Sequence, residues 1–211
     1  YTISRPAPTG IADYGVEYSG GTLTPYTLTF NEIVGQVSFQ GQPSGYVVGS
    51  GGNSFSVQLN AVIYVSTSSG PQELWAQDVA VISGSTMFFG DNLWNFTAPN
   101  APLSGVTGSG KIYNGQYYAY ATPLMPFQQS FKFVMAVKQS SSNSILVSFG
   151  YSLPGENTVW FDNATVTFSS QVNGAYFEVN GDAQTGSNNA YDAELVMGGP
   201  SNGTNYNFTS L

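Results

Sequence analysis

The chain has 211 residues and a mass of 22.4 kDa, a length that suits one large β domain with a single core. Hydrophobic residues make up 41 % and aromatics 15 %, which rules out a disordered chain. Charged residues are only 8 %, against about 25 % in ordinary soluble domains. Four cations against 12 acids give a net charge of −8 and no basic patch, arguing against nucleic acid or an anionic membrane as partner. The absence of histidine and cysteine removes disulfides, thiolate catalysis, zinc-thiolate sites and His-based triads, so neither metal nor cofactor is expected.

In chain order, residues 1–10 form an arm whose prolines, Pro6 and Pro8, cannot enter a central ladder. Within it Tyr1 and Ile3 alternate with Thr2 and Ser4, and Arg5 precedes Pro6, the pattern of a short detachable strand. Residues 11–211 are expected to form one domain. Its strands are predicted over residues 24–30, 33–39, 55–65, 73–82, 86–97, 111–121, 131–137, 144–153, 157–168, 174–181 and 191–199. Alternation is clearest in FSVQLNAVIYV, where Phe55, Val57, Leu59, Ala61, Ile63 and Val65 share a face, and in FKFVMAV, where Phe131, Phe133, Met135 and Val137 do so with Lys132 opposite. Turn clusters such as GQPSG, GSGGNS, TSSGP and PGEN separate the runs. The class is therefore all-β, an antiparallel sandwich of jelly-roll or immunoglobulin-like layout with about ten strands. No helical periodicity, internal repeat or linker interrupts it.

The chain starts at Tyr1 without an initiator Met, and no apolar run approaches the roughly 20 residues that span a bilayer. Secretion with a removed signal peptide is the simplest reading. N-glycosylation sequons stand at Asn95, Asn163, Asn202 and Asn207, so N-linked glycans on an extracellular, cell-surface protein are expected.

Four stretches carry a resemblance: PAPTGIADYGVEYSGGTLTPYTLTFNEIVGQVSF at residues 6–39, LWAQDVAVI at 74–82, FGDNLWNFT at 89–97 and AYDAELVMGGPSNG at 190–203. In order and spacing they resemble the thermopsin family, the secreted acid proteases of thermoacidophilic archaea. The resemblance implies a β-rich protein suited to hot acid. It also implies a protease chain that runs on past the NYNFTSL segment with a further strand-like run.

An acid protease without metal, Ser triad or Cys needs side chains that share protons: two carboxyls, or a carboxyl with a polar partner. Within the matched stretches the candidates are Asp78, Asp91, Asp192 and Glu194, with Gln77 as a neutral partner able to position water. Asp192 and Glu194 are two apart in a strand-like run, so they share one face with Cα atoms about 6.5 to 7 Å apart. The competing reading puts both on a solvent face without function. Gln77 and Asp78 are adjacent and point to opposite faces, so only one can serve a given site. The GDN at residues 90–92 reads as a turn or bulge, and Trp75, Trp94 and Trp160 as core anchors.

The alternative to catalysis is structural. If a C-terminal core strand is missing, the arm Tyr1–Thr2–Ile3–Ser4–Arg5 of another copy could fill the vacancy by strand addition. Repetition of that contact is heterologous and builds a head-to-tail filament, pilus-like or thread-like. On the sequence, this donor-strand filament subunit is preferred over the acid endopeptidase. With so few cations to pair with, the carboxylates are also expected to be held little below their ordinary values of about 3.9 and 4.3, so acid should cost little stability.

Overall fold

The computed structural model describes residues 8–14, 16–25, 27–41, 54–98, 101–180 and 193–198. Its elements in chain order begin with β1 (Pro8–Tyr14), β2 (Val16–Ser19), β3 (Thr22–Pro25), β4 (Thr27–Phe30) and β5 (Glu32–Ser38). Three long strands follow: β6 (Ser54–Thr67), β7 (Gly70–Ser83) and β8 (Thr86–Asn95). Next come the short β9 (Val106–Thr107), β10 (Lys111–Tyr113), β11 (Tyr117–Ala121) and β12 (Met125–Pro126). Last are β13 (Ser130–Ser141), β14 (Ser144–Ser152), β15 (Val159–Thr167), β16 (Val172–Asn180) and β17 (Ala193–Gly198). No helix occurs among the described residues.

Two antiparallel sheets face each other, as the alternation requires. The larger runs β1–β17–β6–β7–β8–β11–β10, with β12 on β8 and with β16 pairing both β6 and β4; the smaller runs β5–β13–β14–β15–β9. β2 and β3 form a separate hairpin. The core lies between the sheets. Phe55, Leu59, Ile63, Ile82, Phe89 and Leu93 meet Phe131, Phe133, Met135, Val147 and Phe149, all buried. Phe89 is the hub of the ring packing, stacked on Tyr151 at 4.1 Å and edge-on to Phe131 at 5.3 Å and Phe133 at 6.1 Å.

Several local expectations change. Residues 111–121 are a hairpin rather than one strand: Asn114 (φ 52°) and Gly115 (φ 66°) both take left-handed backbone, so the Asn-Gly pair turns β10 back into β11. The GDN at residues 90–92 is neither turn nor bulge but the middle of β8, in unbroken register with β7. The tryptophans do not anchor the core. Trp75 and Trp94 oppose each other on the outer face of the large sheet, half-buried, and Trp160 is 40 % exposed. A bulge explains Trp160: β14 residues Phe149 and Gly150 oppose Asp162 and Trp160, so Phe161 is the extra residue and the strand's phase reverses there.

The packing of β17 decides which way Glu194 faces. Leu195 packs against Gly35 of the opposite sheet, where an added Cβ would lie 2.9 Å from the Leu195 Cδ2 atom. That contact holds Leu195 inward, and strand alternation then turns Glu194 to the outer face. Replacing Phe89 by Ala should cost about 3 to 5 kcal/mol of stability, measured by denaturant unfolding at acid pH, because the rings around it cannot close the void.

Candidate active site

The strands of the large sheet bring together residues far apart in sequence. Along one row across it Asp13 stands in register with Glu194, Glu194 with Asn60, Asn60 with Gln77, and Gln77 with Asn92, and the side chains of Glu194, Asn60 and Gln77 lie on its outer face. Directly opposed antiparallel positions are about 4.5 to 5.5 Å apart between Cα atoms. The row therefore places a second carboxyl-bearing position next to Glu194, on a different strand from the expected neighbour. Asp192 lies outside the described residues, as do Tyr1, Thr2, Ile3, Ser4, Arg5, Asn202 and Asn207.

Hydrogen bonds give the row a direction. Indole N–H can only donate, and Trp94 Nε1 donates to Gln77 Oε1 at 3.1 Å. This turns the Gln77 amide nitrogen away, toward Gln58 Oε1 at 3.0 Å and Asn60 Oδ1 at 3.2 Å. The Asn60 carbonyl is thereby occupied, and its Nδ2 donates to Glu194 Oε1 at 3.1 Å. Trp94 is itself fixed by stacking on Tyr117 at 4.0 Å. One donor-only group thus sets the orientation of two amides and delivers an N–H to a carboxylate. Glu194, Gln77 and Trp94 are half-buried, whereas Asn60 is 3 % exposed. An apolar groove of about 360 Å³ borders Glu194, lined by Leu28, Phe30, Ile33, Val34, Leu59 and Leu195 among others.

Asp78 and Asp91 belong to a different system. They oppose each other on β7 and β8 and face the core, as their phase with Ala76, Ala80, Phe89 and Leu93 demands. Gln77 and Asp78 do point to opposite sides of the sheet. A third carboxyl, Asp162 of β15, reaches the same place from the small sheet, and all three are at most 2 % exposed. Asp162 was not singled out in the sequence. The available signal was its period-two phase with Ala164 and Val166, an acid standing on an apolar face.

The three acids are unequally satisfied. Asp162 accepts from Tyr118 Oη at 2.6 Å, Ser109 N at 2.9 Å and Asn163 N at 2.8 Å. Gly110 N donates to the same Tyr118 hydroxyl at 2.7 Å. Burial first, then the hydrogen bond to Asp162, push the Tyr118 hydroxyl up, so it stays a donor. Asp91 Oδ1 accepts from Tyr120 N at 3.1 Å, but Asp91 Oδ2 and both oxygens of Asp78 close no hydrogen bond to a donor. Burial, reinforced by Asp91, raises Asp78 well above the carboxylate range; amides of Val134, Gly150 and Val79 face it and only partly offset this. Burial and then the neighbouring Asp162 charge push Asp91 up to about 8. Two carboxylates cannot bond to each other, whereas a proton on Asp91 makes it a donor toward Asp162. Asp78 and Asp91 are therefore protonated in acid.

The two sequons within the described residues differ. Asn95 is half-buried with Oδ1 accepting from Ala98 N at 3.0 Å, and Asn163 is exposed on the outer face of the small sheet. Among the described residues no group of acids has the arrangement of a metal site.

The fold and site thus define an antiparallel β-sandwich with an amide relay ending on one carboxylate on a sheet face and three buried acids between the sheets. The thermopsin family model matches residues 1–211, and the chain is 32 % identical over 230 residues to Thermopsin of Sulfolobus acidocaldarius, covering all of this chain and 67 % of that protein. The chain belongs to the thermopsin family. No solved structure matches it. Membership corrects the preferred sequence reading of a donor-strand, pilus-like filament subunit, because arm and body together fall within the span of a family named for a different kind of protein.

Stability should run opposite to that of most proteins. With folded values raised above the unfolded ~3.8, Asp78 and Asp91 keep protons that the unfolded chain releases. Their stabilising contribution is complete below about 3.8 and, for Asp91, is lost as pH rises to about 8. At 1.36 kcal/mol per pH unit the loss from Asp91 is on the order of 5 kcal/mol. Urea midpoints should thus fall between pH 4 and pH 8, and Asp91→Asn should flatten the slope; an equal or steeper slope in the variant would refute the assignment.

Proposed function

We propose that this protein is an extracellular acid endopeptidase whose reacting group is the Glu194 carboxyl, held by the Asn60–Gln77–Trp94 relay and opposed by Asp13. The reading rests on the resemblance and on family membership. The observation that carries it to these residues is the directed relay ending on a half-buried carboxylate on the outer face of the large sheet. In acid the Glu194 carboxylate takes a proton from the water that attacks the scissile carbonyl. The resulting carboxylic acid then gives that proton to the departing nitrogen as the C–N bond breaks. Asn60 keeps the carboxylate aimed, and Trp94 acts as a positioning residue through Gln77.

Accessibility favours this row over the interior cluster. A peptide must reach the reacting atoms, and Asp78, Asp91 and Asp162 are sealed between the sheets. The unsatisfied oxygens of Asp78 and Asp91 supply the one argument for the interior as the reacting site.

Hydrolysis of a denatured protein substrate at low pH separates the two. Glu194→Gln should lower kcat by at least about 100-fold with the fold intact by circular dichroism, and Asp13→Asn should impair turnover. Asp91→Asn should leave turnover within about twofold of the parent. Trp94→Phe keeps the stack but removes the donor, and should lower kcat about 5- to 10-fold with little change in KM. Activity surviving Glu194→Gln but lost in a folded Asp91→Asn would move the site to the interior.

A further inference from the structure

The outer face of the small sheet carries a feature that the peptidase reading does not use. Trp160 is 40 % exposed and follows an exposed Val159 at the start of β15, whereas Ala164 and Val166 further along the strand are buried. Its indole rests over Gly150, the residue opposite it on β14, where an added Cβ would lie 2.8 Å from the ring. A groove of about 300 Å³ begins at this ring and is lined by Ala136, Leu146, Ser148, Lys138 and Asn163 as well as Trp160. An exposed aromatic beside polar donors in a groove is the composition of a site for a ring with one apolar face and many hydroxyls.

Asn163 opens the sequon Asn163–Ala164–Thr165 and stands on the rim of that groove. Its Oδ1 accepts from Ser148 Oγ at 2.7 Å, which fixes the amide plane. Its Nδ2 makes no hydrogen bond among the described residues, and the residue is exposed. Asn95 offers the contrast: its amide oxygen caps Ala98 N, and Thr97 Oγ1 of its sequon accepts from Glu73 N at 2.6 Å, folding the motif into the chain.

We infer that Asn163 carries an N-linked glycan whose first pyranose ring lies in this groove, its C–H face against the Trp160 indole and its hydroxyls within reach of Lys138 and Ser148. The donor is a saccharide activated as a phosphate ester at its anomeric carbon. The Asn163 Nδ2–C1 bond forms as the C1–O bond to phosphate breaks, the amide loses one proton, and the phosphate departs with the electron pair. The sugar covers the apolar ring and removes it from contact with other molecules.

The test is independent of proteolysis. Peptide mapping by mass spectrometry of protein purified from its native source should find hexose-bearing peptides at Asn163 and an unmodified Asn95. Oxidative footprinting should then show Trp160 protected in the glycosylated protein and oxidised several-fold faster in Asn163→Gln, with Trp75 and Trp94 unchanged. Thr165→Ala, which abolishes the sequon while leaving Asn163 in place, should reproduce that rise if the first variant folds poorly. An unmodified Asn163, or a glycosylated one with Trp160 oxidised at the same rate in both proteins, would overturn the inference.

Discussion

Successive residues of an extended strand must face opposite sides of a sheet, and at Gln77–Asp78 this constraint divides the molecule's polar chemistry in two. Outward, Gln77 joins Trp94, Asn60 and Glu194 in a hydrogen-bonded row. Inward, Asp78 meets Asp91 and Asp162 between the sheets. Both systems depend on the same in-register trio of β6, β7 and β8, whose pairing runs unbroken from Ser54 to Asn95 apart from its two turns. A slip of one residue in β7 would bury the amide and expose the acid.

The interior cluster becomes a liability once Asp78 and Asp91 ionise, because neither Asp78 oxygen and only one Asp91 oxygen meets a donor. In acid they hold protons and become tolerable polar groups among phenyl rings. A chain with only 8 % charged residues fits the same conditions, since it loses few ion pairs when carboxyls are neutralised. The few charges of the chain and the protonated state of Asp78 and Asp91 inside it act in the same direction, toward stability kept at low pH. The donor set around Asp162, built from Tyr118 and the Gly108–Gly110 loop, anchors the small sheet to this cluster; a side chain at Gly108 would collide with the Tyr118 hydroxyl.

The outer row shows how a directional network is assembled from ordinary residues. Amides can be flipped, carboxylates accept from any side, and only the indole nitrogen is restricted to donation. Placing that restricted group at one end orders the rest. The filament interpretation failed on a different point. It took Tyr1–Arg5, a segment outside the described residues, for a spare strand, whereas the family's match takes in residues 1–211, arm and body together.

Period-two patterns in the sequence were sufficient for the class of fold, for the core faces of β6 and β13, and for the opposed orientations of Gln77 and Asp78, because alternation is a local property of extended backbone. They also held the phases of Asp78 and Asp162 on apolar faces, whereas that of Asp91 was hidden because the run 90–92 reads locally as a turn or bulge and only its register with β7 makes it strand. Which strands became neighbours was not legible. That Asp13 stands against Glu194, 181 positions away in the chain, or that Asp162 closes on Asp91 from the other sheet, results from long-range pairing and sheet packing. The bulge that expels Trp160 was hidden for the same reason: register with β14 creates it, and no local pattern within residues 157–168 records it. Local sterics wrote the strands into the sequence, and only the packing of one sheet on another decided which acids share a proton.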